Sequence, residues 1–229
     1  SLFVKDTTKI SKYKKFITIY GNTNLKKVYK LNYKNIHLKK NIIQSGSKKY
    51  VAEFLKCENQ SPSDLIEIHN RPNYFHMIHN NKINKKIVLY FHNDPLTMTG
   101  SRSVGDRKKL LTNAAKIIFN SYWSKKRFLE GIKGFDINSE KMVVIYQSTE
   151  PAYVNINKKK NWITFVGKLN RAKGYDLFGR AVLKILNKYK NWEALVIGDE
   201  PRLTLHFKHK RLRNLGFQNH DEVLKIFKK

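Results

Sequence analysis

Short apolar runs recur along the chain, each ending in a polar or glycine-containing turn and followed by a segment with helical spacing. Phe16 to Tyr20, Asp64 to His69, Lys86 to Phe91, Lys116 to Phe119, Met142 to Tyr146, Trp162 to Val166 and Glu193 to Ile197 are the clearest. They are too short for helices and mostly continuous rather than alternating, which is the pattern of strands covered on both faces. A shorter run, Asn35 to Leu38, reads as a further strand, and Arg213 to Phe217 as a strand end. Helices are expected over 45–56, 72–83, 106–112 and 122–129, after Gly174, and from Asp221 onward. Strand–helix alternation of this kind makes an α/β fold with mostly parallel sheets.

The texture breaks once. Residues 147–161 are polar, contain Pro151 and carry a lysine run at Lys158 to Lys160. This stretch reads as an interdomain linker. It divides the chain into residues 1–152 and a shorter unit, 153–229.

In parallel α/β units the loops at the carboxyl ends of the strands build the site. Polar clusters fall there repeatedly: His69-Asn70-Arg71, His92-Asn93-Asp94, Asn120-Ser121 and Gly198-Asp199-Glu200-Pro201. The most informative is Gly167 to Gly174. A buried strand ends at Gly167, a loop carries Lys168, Arg171 and Lys173, and Gly174 opens a helix with Leu177, Phe178, Ala181, Val182, Ile185, Leu186 and Tyr189 expected on one face. A strand, a cationic glycine turn and a helix N-terminus together make a place for a phosphate.

With 41% hydrophobic residues in 229, the chain has enough apolar material for a core. Its 46 Lys and Arg against 17 Asp and Glu give a formal charge of +29. A polyanion partner is one reading of that excess, AT-rich codon usage the other, because Lys, Asn, Ile and Tyr are abundant together. The lysines are scattered, with no RNP-like aromatic motif, zinc-finger spacing or recognition-helix pattern, which argues against specific nucleic-acid binding. Peripheral attraction to an anionic membrane fits better. Cys57 is the only cysteine, no apolar run reaches the length of a membrane span, and the start does not resemble a signal peptide, so a cytoplasmic protein is expected, including one at the inner face of the membrane. His69, His76 and His79 lack a carboxylate or cysteine at ligand spacing, so no metal site is expected. Neither a Gly-x-Ser-x-Gly elbow nor a Walker lysine motif is present.

Val166-Gly167-Lys168, Lys173-Gly174, Ile197-Gly198-Asp199-Glu200-Pro201 and Leu215-Gly216 stand in the order found in GT-B glycosyltransferases of the family 4 type. That pattern is usually Gly-Arg, a short loop, Lys-Gly, Val-Gly-Asp-Gly-Pro, then Leu-Gly. In the first half, Ile87 to His92 resembles the family strand that ends in an active-site histidine. Ile118 to Ser121 and Val144 to Tyr146 resemble its later strands. The resemblance implies two Rossmann-like domains, the second incomplete here. It implies an acceptor side at residues 1–152, a donor side at 153–229, and transfer of a sugar from a UDP-, GDP- or ADP-linked donor to a cell-surface glycan or lipid-linked acceptor. The transfer would be retaining and would need neither metal nor other cofactor.

Carried over residue by residue, the resemblance puts Gly167, Lys168 and Lys173 at the donor diphosphate. It puts Gly198, Asp199 and Leu215 at the donor nucleotide, His92 at the reacting sugar across the cleft, and Asn70 and Arg71 on the acceptor side. Lys168 replaces the usual arginine. Both ends look cut: the family's opening strand with its glycine-rich loop and its late pair of glutamates are not in the sequence, so a fragment of a longer enzyme is expected, with a degenerate member as the other reading. The alternative function is a catalytically inactive GT-B-like module that binds an anionic glycan, membrane surface or nucleic acid through its charge.

Overall fold

The computed structural model describes residues 2–23, 31–38, 45–135, 139–148, 153–200 and 205–229. Pro151 and Pro201, and part of the expected linker, lie outside them. The chain forms two compact units, Ser1–Ser148 and Thr149–Lys229.

The first unit runs α1 (Leu2–Ile10), β1 (Ile19–Gly21), β2 (Tyr33–Asn35), α2 (Gly46–Gln60), β3 (Leu65–His69), α3 (Pro72–Asn80), β4 (Lys86–Phe91), α4 (Val104–Asn113), β5 (Lys116–Phe119), α5 (Tyr122–Leu129) and β6 (Met142–Val144). β1 and β2 form one parallel pair, and β3-β4-β5-β6 form a four-stranded parallel sheet in that order. Ile68, Leu89, Ile117 and Met142 are in register across the second sheet, and all four are buried. Five successive residues of β4, Ile87 to Phe91, are buried, as a central strand covered on both faces requires. Serines start the helices: Ser45, Ser103 and Ser121 accept hydrogen bonds from the backbone of Lys48, Asp106 and Ser124, and Pro72 fills the first turn of α3.

The edges differ from expectation. The strand expected at 16–20 sits at Ile19–Gly21, and Phe16 is 85% exposed because a tight turn, with its N–H on the Tyr13 carbonyl, holds it outside the sheet. The one expected at 35–38 pairs only at Tyr33–Asn35, while Ile36 is buried beyond it. β6 stops at Val144. Ile145 still donates to the Phe119 carbonyl, but Ile145 and Tyr146 are exposed, and among the described residues no further strand pairs with β6 at that edge.

The second unit runs β7 (Trp162–Val166), α6 (Tyr175–Lys188), β8 (Glu193–Ile197), β9 (Leu212–Asn214) and α7 (His220–Phe227), with a parallel sheet in the order β7-β8-β9. β8 is central, with Ala194 to Ile197 buried. The buried stripe of α6 is Tyr175, Gly179, Val182 and Leu186, with Phe178 partly buried beside it. The expected face was rotated: Leu177, Ala181 and Tyr189 are exposed. The reason is Gly179, where a side chain would collide with the Phe207 ring. That close approach turns the glycine inward and carries Tyr175 with it.

Candidate functional site

In the second unit the chemistry collects at the carboxyl ends of the three strands. Gly167 follows β7, Gly198 follows β8 and Gly216 follows β9, and they are tied in a row: Gly167 N–H donates to the Ile197 carbonyl at 3.0 Å, and Gly198 N–H to the Gly216 carbonyl at 2.8 Å. Gly167 (φ 153°) and Gly198 (φ 138°) use backbone conformations that side chains disfavour, and a Cβ on Gly198 would run into the Gly167 carbonyl. The glycines bring the strand ends together without side chains in the way.

The loop from Lys168 to Gly174 is organised by Asn170. Its side-chain oxygen accepts from the Lys173 N–H at 3.1 Å, and its amide donates to the buried Glu200 carboxylate at 2.9 Å. Its backbone carbonyl also receives the first N–H of α6, from Tyr175. Asp199 receives the Leu169 N–H on its carbonyl at 3.4 Å. Lys168, Arg171, Lys173 and Asp199 are exposed, and Leu215, whose N–H donates to the Val196 carbonyl, is partly buried. Gly174, left-handed at φ 74°, caps α6 without a side-chain acceptor. All six donor-side residues of the sequence reading therefore share one end of one sheet. Asn170 and Glu200, which shape that end, were not anticipated. Glu200 stands where the family pattern has glycine, and the departure comes with its own partner in Asn170.

In the first unit, His92 follows β4 and is held from several sides. Asn70, left-handed at φ 56° after β3, accepts the N–H groups of His92 (3.2 Å) and Asn93 (3.3 Å) on its side-chain oxygen. Asn120 after β5 donates to the His92 carbonyl at 2.8 Å. Further on, Asp94 caps the next turn through Leu96 N–H and pairs with Arg127 of α5 at 3.1 Å. Burial pushes the Asp94 carboxyl up, but the Arg127 and Leu96 hydrogen bonds outweigh it and hold the group below its usual range. The role of Asn70 shown here is to shape the loop that carries His92. Arg71 is exposed, and its guanidinium donates to the Asn70 carbonyl.

The imidazole of His92 lies flat on Tyr90, with ring centroids 4.4 Å apart. Its Nε2 is 2.9 Å from His69 Nδ1, and its Nδ1 faces the Gln147 amide. Burial first, then the neighbouring His69, lowers its pKa to about 4, against the opposing pull of Glu67. It is a neutral imidazole at physiological pH. His76 Nε2 donates to the Gly100 carbonyl and His79 stacks on Phe75, so both have structural positions. Among the described residues no group of three His, Cys, Asp or Glu is placed to hold a metal ion, and no helix is long and apolar enough to cross a membrane.

No protein-family model matches the sequence, and no curated protein matches it. Solved structures do. HepE of Anabaena, in complex with UDP and glucose, superposes with a TM-score of 0.65 at 16% identity, over 95% of this chain and 65% of HepE. The same protein with UDP-glucose gives 0.56 at 17% identity, over 82% and 56%. A glycosyltransferase from Rickettsia africae ESF-5 gives 0.54 at 16% identity, over 85% and 57%. The chain thus spans 65% of the length of the HepE structure. The fold is GT-B-like, with parallel, Rossmann-like sheets.

Proposed function

We propose that the chain is part of a glycosyltransferase of the family 4 type that uses a nucleoside-diphosphate sugar, with the second unit binding the donor and the first the acceptor. The observation that carries this is the glycine row Gly167–Gly198–Gly216 beside the exposed Lys168 and Lys173 and the N-terminus of α6. The HepE structures, which hold UDP and UDP-glucose on the same fold, agree with a donor of that class.

The chemistry follows from charge. When the sugar–phosphate bond breaks, the departing nucleoside diphosphate gains negative charge. Lys168 and Lys173 would meet it, together with the helix end, which is equivalent to about half a positive charge. That is the role a divalent metal plays in other transferases, so this reading assigns the charge compensation to the two lysines. Lysine in place of arginine at 168 gives a point charge rather than a two-pronged fork. Gly198, Asp199 and Leu215 would border the nucleotide. His92 would contact the sugar or the acceptor hydroxyl, and Asn70 and Arg71 the acceptor. Transfer with retention to a cell-surface glycan or lipid-linked acceptor, at the inner face of a membrane, completes the reading.

Calorimetric titration with UDP, GDP and ADP tests it. One of the three binds, and Lys173→Ala weakens that binding about tenfold, the lower end of what a hydrogen bond to a charged group contributes. Absence of binding by all three, or binding indifferent to Lys173, would overturn the reading.

A further inference from the structure

Four side chains of the first unit stand in one hydrogen-bonded line. Glu67 and His69 lie two residues apart on β3 and share a face of it, with His69 Nε2 2.9 Å from a Glu67 carboxylate oxygen. His69 Nδ1 is 2.9 Å from His92 Nε2, and His92 Nδ1 meets the Gln147 amide nitrogen. The rings are held in plane. Tyr90 stacks on both histidines, at 5.6 and 4.4 Å, and its hydroxyl is fixed on the Ile145 carbonyl at 2.7 Å. Phe3 sets its edge against all three rings at 5.0–6.0 Å.

The line has a direction. A carboxylate only accepts, so His69 Nε2 must carry the proton that meets Glu67. With a single proton on the ring, His69 has its lone pair at Nδ1, and His92 Nε2 donates to it. A neutral His92 is left with its lone pair at Nδ1, which is where the Gln147 N–H points. The hydrogen bond from His69 holds Glu67 ionised, below the usual carboxylate range against the opposing effect of burial, and burial keeps His92 neutral. Both ends thus agree with the same polarity.

We infer that Glu67 and His69 are positioning residues that lock His92 as the Nε2-protonated tautomer, so that its Nδ1 is a dedicated acceptor for a ligand hydroxyl, with Gln147 as the group that hydroxyl displaces. A polyol such as a sugar supplies the required O–H. A carboxylate or carbonyl oxygen placed at that point would meet a lone pair and be rejected. That the hydroxyl belongs to a glycan rests on the function proposed above; the tautomer lock itself does not.

The test is nitrogen NMR of the 15N-histidine-labelled chain near neutral pH. The expected spectrum shows His92 with a protonated Nε2 and an unprotonated Nδ1 in a single form. Glu67→Gln, whose amide can either donate or accept, shifts His92 to an averaged mixture of tautomers, while Glu67→Asp returns it towards the single form; backbone amide spectra report that each variant is folded. A wild-type His92 protonated at Nδ1, or already averaged, overturns the inference without any variant. So does a His92 signal unmoved in folded Glu67→Gln. Nucleotide titration separates the two claims. A locked His92 in a chain that binds no nucleotide sinks the proposed function alone, and nucleotide binding with the opposite tautomer sinks the lock alone.

Discussion

Gly198 occupies a position where a Cβ would overlap the carbonyl of Gly167, so the ends of β7 and β8 touch through bare backbone. Gly216 in the same row differs: it is left-handed at φ 63°, but open space surrounds the place its Cβ would take. The pair separates two effects of glycine. Gly216→Ala meets only backbone strain, about 1 kcal/mol. Gly198→Ala adds a collision with the backbone carbonyl of Gly167, a residue held against β8 by its own N–H on Ile197, and the total reaches roughly 3 kcal/mol or more. Thermal unfolding of the two variants should show Gly198→Ala with at least twice the loss in Tm, and only that variant should lose nucleotide binding outright.

The Asn170–Glu200 hydrogen bond predicts a coupled pair. Asn170→Ala withdraws both the acceptor for Lys173 N–H and one donor to a buried carboxylate. A buried charged group deprived of a donor costs about 1–3 kcal/mol. Much of that cost disappears when Glu200→Ala is already present, because the carboxylate is gone. A double-mutant cycle on thermal stability should therefore give an interaction energy of about 1 kcal/mol or more; simple additivity would mean the contact does not organise the loop.

What the sequence discloses and what it hides divides along physical lines. Ile87 to Phe91, Ile117 and Phe119 and Ala194 to Ile197 are buried in central strands, and a continuous apolar run is the trace that such burial leaves. Phe16, Ile145 and Tyr146 are equally apolar but lie at or beyond sheet edges, where composition no longer reports position. The same holds at the site. Gly167, Gly198 and Gly216 are legible because a positive φ or a close approach leaves few other choices of residue. The Glu67–His69–His92 line is not, because it depends on the parallel register that sets His69 against Tyr90, 21 positions on. Asn170 and Glu200 are separated by α6 and β8 and meet only when β7 and β8 pair.

The Asp94–Arg127 pair fastens the loop after His92 to α5. Asp94 has its folded pKa depressed, so its contribution is present above the unfolded carboxylate value near 4 and fades as pH falls through the lower folded value. Arg127→Gln removes that contribution at pH 7. The difference in Tm between wild type and Arg127→Gln should be clear at neutral pH and shrink as the pH falls through the depressed folded value of Asp94, below which the carboxyl is protonated in both. A difference that persists unchanged in acid would assign Arg127 a packing role instead.

His92 carries the opposite kind of pH signature. Its pKa falls from 6.5 to about 4, chiefly by burial and then by His69, with a smaller push from the charge of the amino terminus, while Glu67 pulls it back; Tyr90, Phe3 and Gln147 are its uncharged neighbours. Between these two values the unfolded chain binds a proton at this residue and the folded chain does not. Stability therefore drops as pH falls from about 6.5 to about 4, by on the order of 3 kcal/mol from this group, and this contribution levels off below that. His92→Phe keeps the stacking on Tyr90 but has nothing to titrate. Its Tm should be nearly flat over the interval in which the wild type declines, even if its stability at pH 7 is lower through loss of the bond to His69. Parallel pH profiles for the two proteins would show that His92 titrates normally in the folded chain, and that the pocket formed by Tyr90, Phe3 and His69 does not exclude the charge.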